Sequence, residues 1–284
     1  KSGNLYQPTS APTTAPVTAS ALVKVLGPQL LAEAAGDPEA VARVVRGLTA
    51  EPVENKTLVL FTLDTFFEAY DADSTRFYLL SSAPETSDSD WRWEDFQACV
   101  NAGLADTIGN LATRVLRFCD KHFEGKVPPL AEDHRAELDA AILSECGEAT
   151  DPAASIRRFR FREATSALLA NAAIANVYID RTAPWALRKT DLERCGSVLN
   201  TACEWLLLVA RWMAPFMPTK AQALWVMLGQ EGAVEAAGWP ELPSGAGWRQ
   251  ELGGTKLGEI EGLFAKLDDA TVAAELAKLE APAK

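Results

Sequence analysis

The stretch WEDFQACVNAGLADTIGNLATRVLRFCDKHF, Trp93 to Phe123, decides how this chain folds. Within it Phe96, Val100, Leu104, Ile108, Leu111, Val115 and Phe118 recur at spacings of three and four, which on a helix align as one apolar stripe. The spacing predicts one long helix, stopped by Gly125 and the Pro128-Pro129 pair. Downstream, the same periodicity predicts helices over Leu130–Glu145, Ala154–Asp180, Asp191–Met213, Thr219–Leu228 and Ala270–Leu279, each bounded by Gly, Pro or a capping Asp or Thr. Trp239–Gly254 reads as loop, and Trp205, Trp212, Phe216 and Trp225 fall on apolar stripes as expected core. Upstream, Asp73-Ser74 starts a short helix through Tyr78 and Leu80, and the acidic, Ser-rich turn Glu85–Asp90 ends it. Leu58–Thr62 (LVLFT) is the best strand candidate. Two short helical patterns, Ala21–Ala35 and Pro38–Leu48, follow a Pro- and Thr-rich linker at Pro8–Ser20. The expected fold is mainly α: a helical bundle preceded by a small α/β piece.

The 284 residues are 48% hydrophobic and 23% charged, ordinary for a globular chain. A net charge of −12 repels nucleic acid on average and excludes an indiscriminate nucleic-acid coat, while leaving room for a local basic site. Cys99, Cys119, Cys146, Cys195 and Cys203 form no CxxC pair and have no His at metal-ligand spacing, and His122 and His134 lie far from any Cys pair in sequence. They read as free thiols in a reducing compartment, with no metal site. No secretory signal opens the sequence, and its most apolar stretch, Trp205–Pro218, is interrupted by Arg211 and Pro215 and is too short for a bilayer. A soluble, cytoplasmic protein with no membrane partner is expected. The first residue is Lys, as in a processed chain or a fragment.

Charge is unevenly placed. Between Ser155 and Thr190 stand seven cations (Arg157, Arg158, Arg160, Arg162, Arg181, Arg188 and Lys189) against Glu163 and Asp180 alone. In Ile156–Arg162 (IRRFRFR) Arg alternates with Phe at a helix start, where cations oppose the helix dipole. One reading is a phosphate-contacting patch. The other is a solvated face whose Phe residues are core and whose Arg residues pair with nearby acids. The charge by itself favours the second.

Three segments in order resemble the anticodon-binding part of methionyl-tRNA synthetases. Asp71–Leu80 (DADSTRFYLL) leads through Asp88–Asp90 into Trp93–Arg114, similar to the family's (G/D)ADxxRYxLL element, acidic turn and helix ending in GNLxxR. Asn176–Lys189 (NVYIDRTAPWALRK) resembles NxYIxxxxPWxLxK, and Met213–Gly229 (MAPFMPTKAQALWVMLG) resembles LxPFMPxxAxxxWxxLG. Gly254–Leu267 is similar to the family's ending, and Lys1-Ser2-Gly3-Asn4 to the close of its KMSKS-x-GN loop. The chain departs from the pattern in several places. Residues 6–57 match nothing in the family pattern, Cys99 stands where a basic residue is common, and Gly103 and Asp106 replace frequent Asp and Asn. No HIGH motif and no zinc-bearing insertion occurs in the sequence given.

The resemblance implies a division of the chain: residues 1–7 as a remnant of the KMSKS loop of a class I catalytic domain, and 8–57 as linker and unassigned insertion. Residues 58–92 would be a stem-contact element and 93–284 an anticodon-binding helical bundle with a C-terminal tail. It implies that Lys1 stabilises ATP phosphates, that Asn110 and Arg114 read anticodon bases, and that Trp185 stacks on one. Asn110 and Arg114, four apart on a helix, share a face and offer donors and an acceptor suited to an unpaired base. An indole held at a loop-to-helix junction by Pro184 offers its ring for stacking. The plain alternatives are a surface polar pair without ligand and a core Trp. Asn176, Tyr178 and Asp180 are expected mainly to position the Trp185 loop, with direct RNA contact as the alternative, and Arg76 to brace a domain junction.

The implied partners are methionine tRNA with its CAU anticodon and a catalytic domain absent from this sequence. The implied cofactors, ATP and Mg2+, belong to the parent methionine–tRNA ligase, none binding these residues alone. Because the HIGH motif is absent, the chain alone is expected to be inactive. The competing readings are a synthetase-derived tRNA-binding module without ligase activity, another class Ia synthetase (leucine, valine or cysteine), and a helical scaffold without RNA.

Overall fold

The computed structural model describes residues 66–280 apart from 68, 86–88, 147–150 and 245–246. Lys1, the linker, the two short helical patterns and the LVLFT strand candidate lie outside the described residues. Among the described residues the secondary structure is helical, joined by loops and one isolated antiparallel bridge, Lys126 with Lys256.

Helix α1 spans Ala72–Ser81, and its N-cap is Asp71 rather than Asp73: the Asp71 carboxylate accepts the Ser74 N–H at 2.8 Å. Asp73 is instead buried inside the first turn, where it pairs with Arg76 at 2.8 Å. The expected long helix is continuous but not uniform. It runs as α2 (Trp93–Ala98), a widened π segment (Cys99–Gly109), and α3 (Asn110–His122). The Asn110 N–H reaches back five residues to the Ala105 carbonyl, the mark of the wider turn. Phe96, Val100, Leu104 and Ile108 repeat at fours along this part of the helix, and all four are buried. Beyond Ile108 the spacing returns to three and four, and so does the α geometry. The stripe from Phe96 to Val115 is buried as its spacing requires, whereas Phe118 is half-buried, with its ring 4.6 Å from that of His122.

The bundle continues through α4 (Glu132–Ser144), α5 (Pro152–Arg157), α6 (Phe161–Thr182), α7 (Pro184–Thr190), α8 (Leu192–Met213), α9 (Pro218–Met227) and α10 (Asp269–Glu280). The helix expected over Ala154–Asp180 is broken in two, because Phe159 takes a left-handed conformation with φ of 57°. The ring of Phe159 is 37% exposed, so only part of the IRRFRFR aromatic set is core. Helix α8 is the central rod. Trp205, Trp212 and Met213 are fully buried, and Phe216, Met217 and Trp225 close the core around its end. The indole of Trp205 donates to the Asn171 carbonyl at 2.8 Å, which satisfies its one polar atom.

The segment after the short 3-10 turn Val234–Ala237 is a strap rather than a loose loop. Glu204 on α8, only 1% exposed, accepts the N–H groups of Gln250 at 2.7 Å and Leu252 at 2.6 Å. Arg249 reaches Asp139 (2.8 Å), Asn200 (3.1 Å) and Thr201 (2.8 Å). Farther along, the strap passes so close to the end of α9 that a Cβ on Gly258 would stand 2.4 Å from the Val226 carbonyl oxygen. Helix α10 then returns to α2, where Val272 joins a second apolar cluster with Tyr70, Trp93 and Phe96, and Tyr70 donates to Glu275 at 2.6 Å.

Candidate nucleic-acid interface

The corner between α6 and α7 is made by two residues. Ala183 is left-handed (φ 43°, ψ 60°), and its N–H donates to the Ile179 carbonyl at 2.9 Å. Such a conformation costs a residue with a Cβ roughly 1–2 kcal/mol. Pro184 follows at the first position of α7, where its missing N–H is not needed and its fixed φ suits the helix. Its ring is buried and its carbonyl accepts the Cys195 thiol at 3.2 Å, pinning the corner to α8. With the proline facing inward, the next residue, Trp185, faces solvent and is 44% exposed.

Helix α3 passes this corner. Asn110 and Arg114, one turn apart, are both exposed. The Arg114 guanidinium carbon lies 5.2 Å from the centroid of the Trp185 ring, and Nη2 donates to Asp180 Oδ1 at 3.1 Å. An exposed cation–π contact contributes about 0.5–1 kcal/mol and an exposed ion pair no more than about 1. Neither locks the group, but together they hold a planar fork of donors against an open aromatic face. Asn176 turns the other way and donates to the Thr107 carbonyl at 2.8 Å, tying α6 to the π segment, while Tyr178 is buried and burial pushes its phenol up. The sequence motif thus divides. Asn176 ties α6 to the π segment, Tyr178 fills the core, and Asp180 holds Arg114.

Arg76 is buried with Asp73, whose second oxygen accepts the Lys220 N–H at 2.8 Å, so this pair braces α1 against α9. Burial pushes the Asp73 carboxyl up, against the backbone hydrogen bond and Arg76 that favour its charge.

The seven cations of Ser155–Thr190 do not form one patch. Arg157, Arg158, Arg160 and Arg162 lie around the start of α6, and Arg181 in its last turn with Arg188 and Lys189 beyond it, roughly 33 Å away for 22 residues. Arg158 pairs with Glu163 at 2.8 Å and Arg181 with Glu145. Sequence reading also passed over Arg117 and Lys121. Their signal was present, since they extend the Asn110–Arg114 spacing by three and then four residues along the same face of α3.

Comparison with known proteins places this helical bundle among the class I aminoacyl-tRNA synthetases. A family model described as "tRNA synthetases class I (M)" matches residues 54–116, and another, "Anticodon binding domain of methionyl tRNA ligase", matches residues 132–282. The chain belongs to the methionyl-tRNA synthetase family. It is 35% identical over 210 residues to a methionine–tRNA ligase of Bacteroides fragilis, covering 73% of this chain and 29% of that protein. Over 232 residues it is 33% identical to one from Chlorobaculum tepidum, covering 77% and 31%. The apo methionyl-tRNA synthetase of Mycobacterium tuberculosis superimposes with a TM-score of 0.62 at 28% identity, covering 72% of this chain and 40% of that one. The chain thus spans about three tenths of the length of the curated relatives it matches. Among the described residues no helix is long and apolar enough to cross a membrane.

Proposed function

We propose that this chain is the tRNA-reading part of a methionine–tRNA ligase, in which Asn110, Arg114 and Trp185 receive the bases of the CAU anticodon of methionine tRNA. One observation carries the reading: Arg114, from the helix of the first family motif, stands over the exposed ring of Trp185, from the second. Bases splayed from the loop stack on the indole, a contact worth roughly 1–3 kcal/mol each. The guanidinium and the Asn110 amide supply donors and an acceptor to their edges.

In the whole protein, a cytoplasmic enzyme, a class I catalytic domain activates methionine with ATP and Mg2+ and transfers it to the tRNA end, with Lys1 on the phosphates. Residues 58–92 form the stem-contact element joining that domain to the bundle. The 284 residues alone bind tRNA without ligase chemistry. The negative net charge supports selectivity, because a local basic face on a repulsive body disfavours other RNA.

The test is binding of methionine tRNA with its CAU anticodon against the same tRNA with an altered anticodon. The CAU form binds more tightly, and equal affinities sink the reading.

A further inference from the structure

The Ile156–Arg162 run takes no part in the Trp185 corner, and its first residues line a cleft of their own. Between α5, the end of α8 and the 3-10 turn Val234–Ala237 lies a cavity of about 190 Å3. Its walls are largely apolar: Ile156 and Val234 are buried there, and Pro215 and Trp239 are half-buried. Two guanidinium groups, those of Arg157 and Arg211, line the same space.

Arg211 is half-buried, and its fork is already oriented. Nε donates to the Gly238 carbonyl at 3.0 Å and Nη2 to the Ala237 carbonyl at 2.8 Å. These acceptors are neutral, so they direct the cation without cancelling its charge, and burial pushes its pKa down. Arg157 is exposed. Neither group makes an ion pair among the described residues, whereas the neighbouring Arg158 pairs with Glu163 at 2.8 Å. Asp151 does not supply the missing charge, because its carboxylate accepts the Ala153 N–H at 2.9 Å and the Trp239 indole at 3.4 Å. Glu235 is the one acid lining the cleft, and it too is exposed without an ion pair among the described residues. The lining therefore carries an excess of one positive charge in a chain of net charge −12.

These features specify a ligand. A carboxylate matches the planar fork of a guanidinium, and a single negative charge balances the excess. The walls call for an apolar body behind that charge. A volume well below the roughly 300–1,000 Å3 of drug-sized sites limits this body to about one ring or a short branched chain. We propose that the cleft binds a small organic monocarboxylate with an apolar or aromatic body, its carboxylate held by Arg157 and Arg211. Such an occupant ties α5, the end of α8 and the root of the strap together. The site is separate from the anticodon reading, since it adjoins the start of α6 and Trp185 lies beyond the other end of that helix.

Phenylacetate, phenethyl alcohol and phenethylamine share a ring and differ in charge, so they serve as probes. Each is titrated into the full chain, with the Trp239 indole N–H and the Arg211 Nε–H followed by proton–nitrogen NMR. Phenylacetate is expected to shift both signals saturably and the amine to shift neither. The alcohol should bind about tenfold more weakly or worse, the factor lost with one charge-assisted hydrogen bond. Arg157→Gln should weaken phenylacetate by up to about fivefold, as for an exposed pair. Glu235→Gln removes the one like charge and should tighten it. Both side chains are exposed and without ion pairs, so neither variant should alter the thermal melt measured without ligand. Equal binding of the acid and either relative overturns the site, as do shifts that never saturate or that bypass both signals. Unchanged affinity in Arg157→Gln, or a Glu235→Gln variant that binds no more tightly, overturns it as well.

Discussion

The guanidinium of Arg114 and the indole of Trp185 are in contact, with 5.2 Å from cation to ring centroid, although one sits on α3 and the other just past the end of α6. Both remain open to solvent, so their contribution to the fold is small. Trp185→Ala is expected to weaken tRNA binding by about 1–3 kcal/mol, roughly 5- to 150-fold. The same substitution should change unfolding free energy by less than about 0.5 kcal/mol beyond the lost cation–π contact. Binding titration and urea unfolding of one preparation check both halves. A collapse of stability would mean that the ring is structural.

Glu204 anchors the strap by accepting two backbone N–H groups in a site that excludes water. Glu204→Leu leaves the Gln250 and Leu252 donors without their acceptor, at about 1–3 kcal/mol each. We expect a lower urea midpoint and faster amide exchange at residues 249–252, measured by hydrogen–deuterium exchange. Unchanged exchange there would show that the strap is held by other groups.

Gly258 is required by proximity rather than by dihedral angle. A methyl group there meets the Val226 carbonyl at 2.4 Å, so Gly258→Ala must separate the strap from the end of α9. Overpacking of this kind costs about 1–3 kcal/mol. Gly262→Ala, where a Cβ would meet open space, is the control and should be close to neutral in the same thermal melt.

The imidazole of His122 is held below its ordinary value by partial burial, then by Arg188 and Lys121. For a base with a depressed folded pKa, the unfolded chain takes the proton first. This group is silent well above pH 6.5, and as pH falls through that value its protonation counts against the fold. Arg188→Ala removes one repulsion and should move the histidine titration upward, followed by the imidazole proton shifts in NMR. A titration that does not move would place Arg188 away from the ring.

A polypeptide of these 284 residues is expected to bind methionine tRNA yet leave ATP–pyrophosphate exchange at background. Exchange above background would mean that the adenylate-forming site is complete within it.

Much of this protein was legible in order and spacing. The apolar stripe of Phe96 to Val115, the core Trp residues of α8 and the proline corner ahead of Trp185 follow from periodicity and from what Pro184 can and cannot do at a helix start. The widened turn over Cys99–Gly109 was not anticipated by the periodicity, which predicted one uniform helix. Only tertiary structure decided which polar groups meet. Asp180 lies within the motif that bears Trp185, but its partner Arg114 comes from another helix. Glu204 is a charge on an apolar rod until the strap brings it two N–H groups. The IRRFRFR cations and those near Trp185 share one run of sequence, yet α6 carries them to opposite ends of the bundle. Local spacing fixes a side chain's face on its own helix, because backbone geometry is periodic. Which faces meet depends on how whole helices pack, which no single segment encodes.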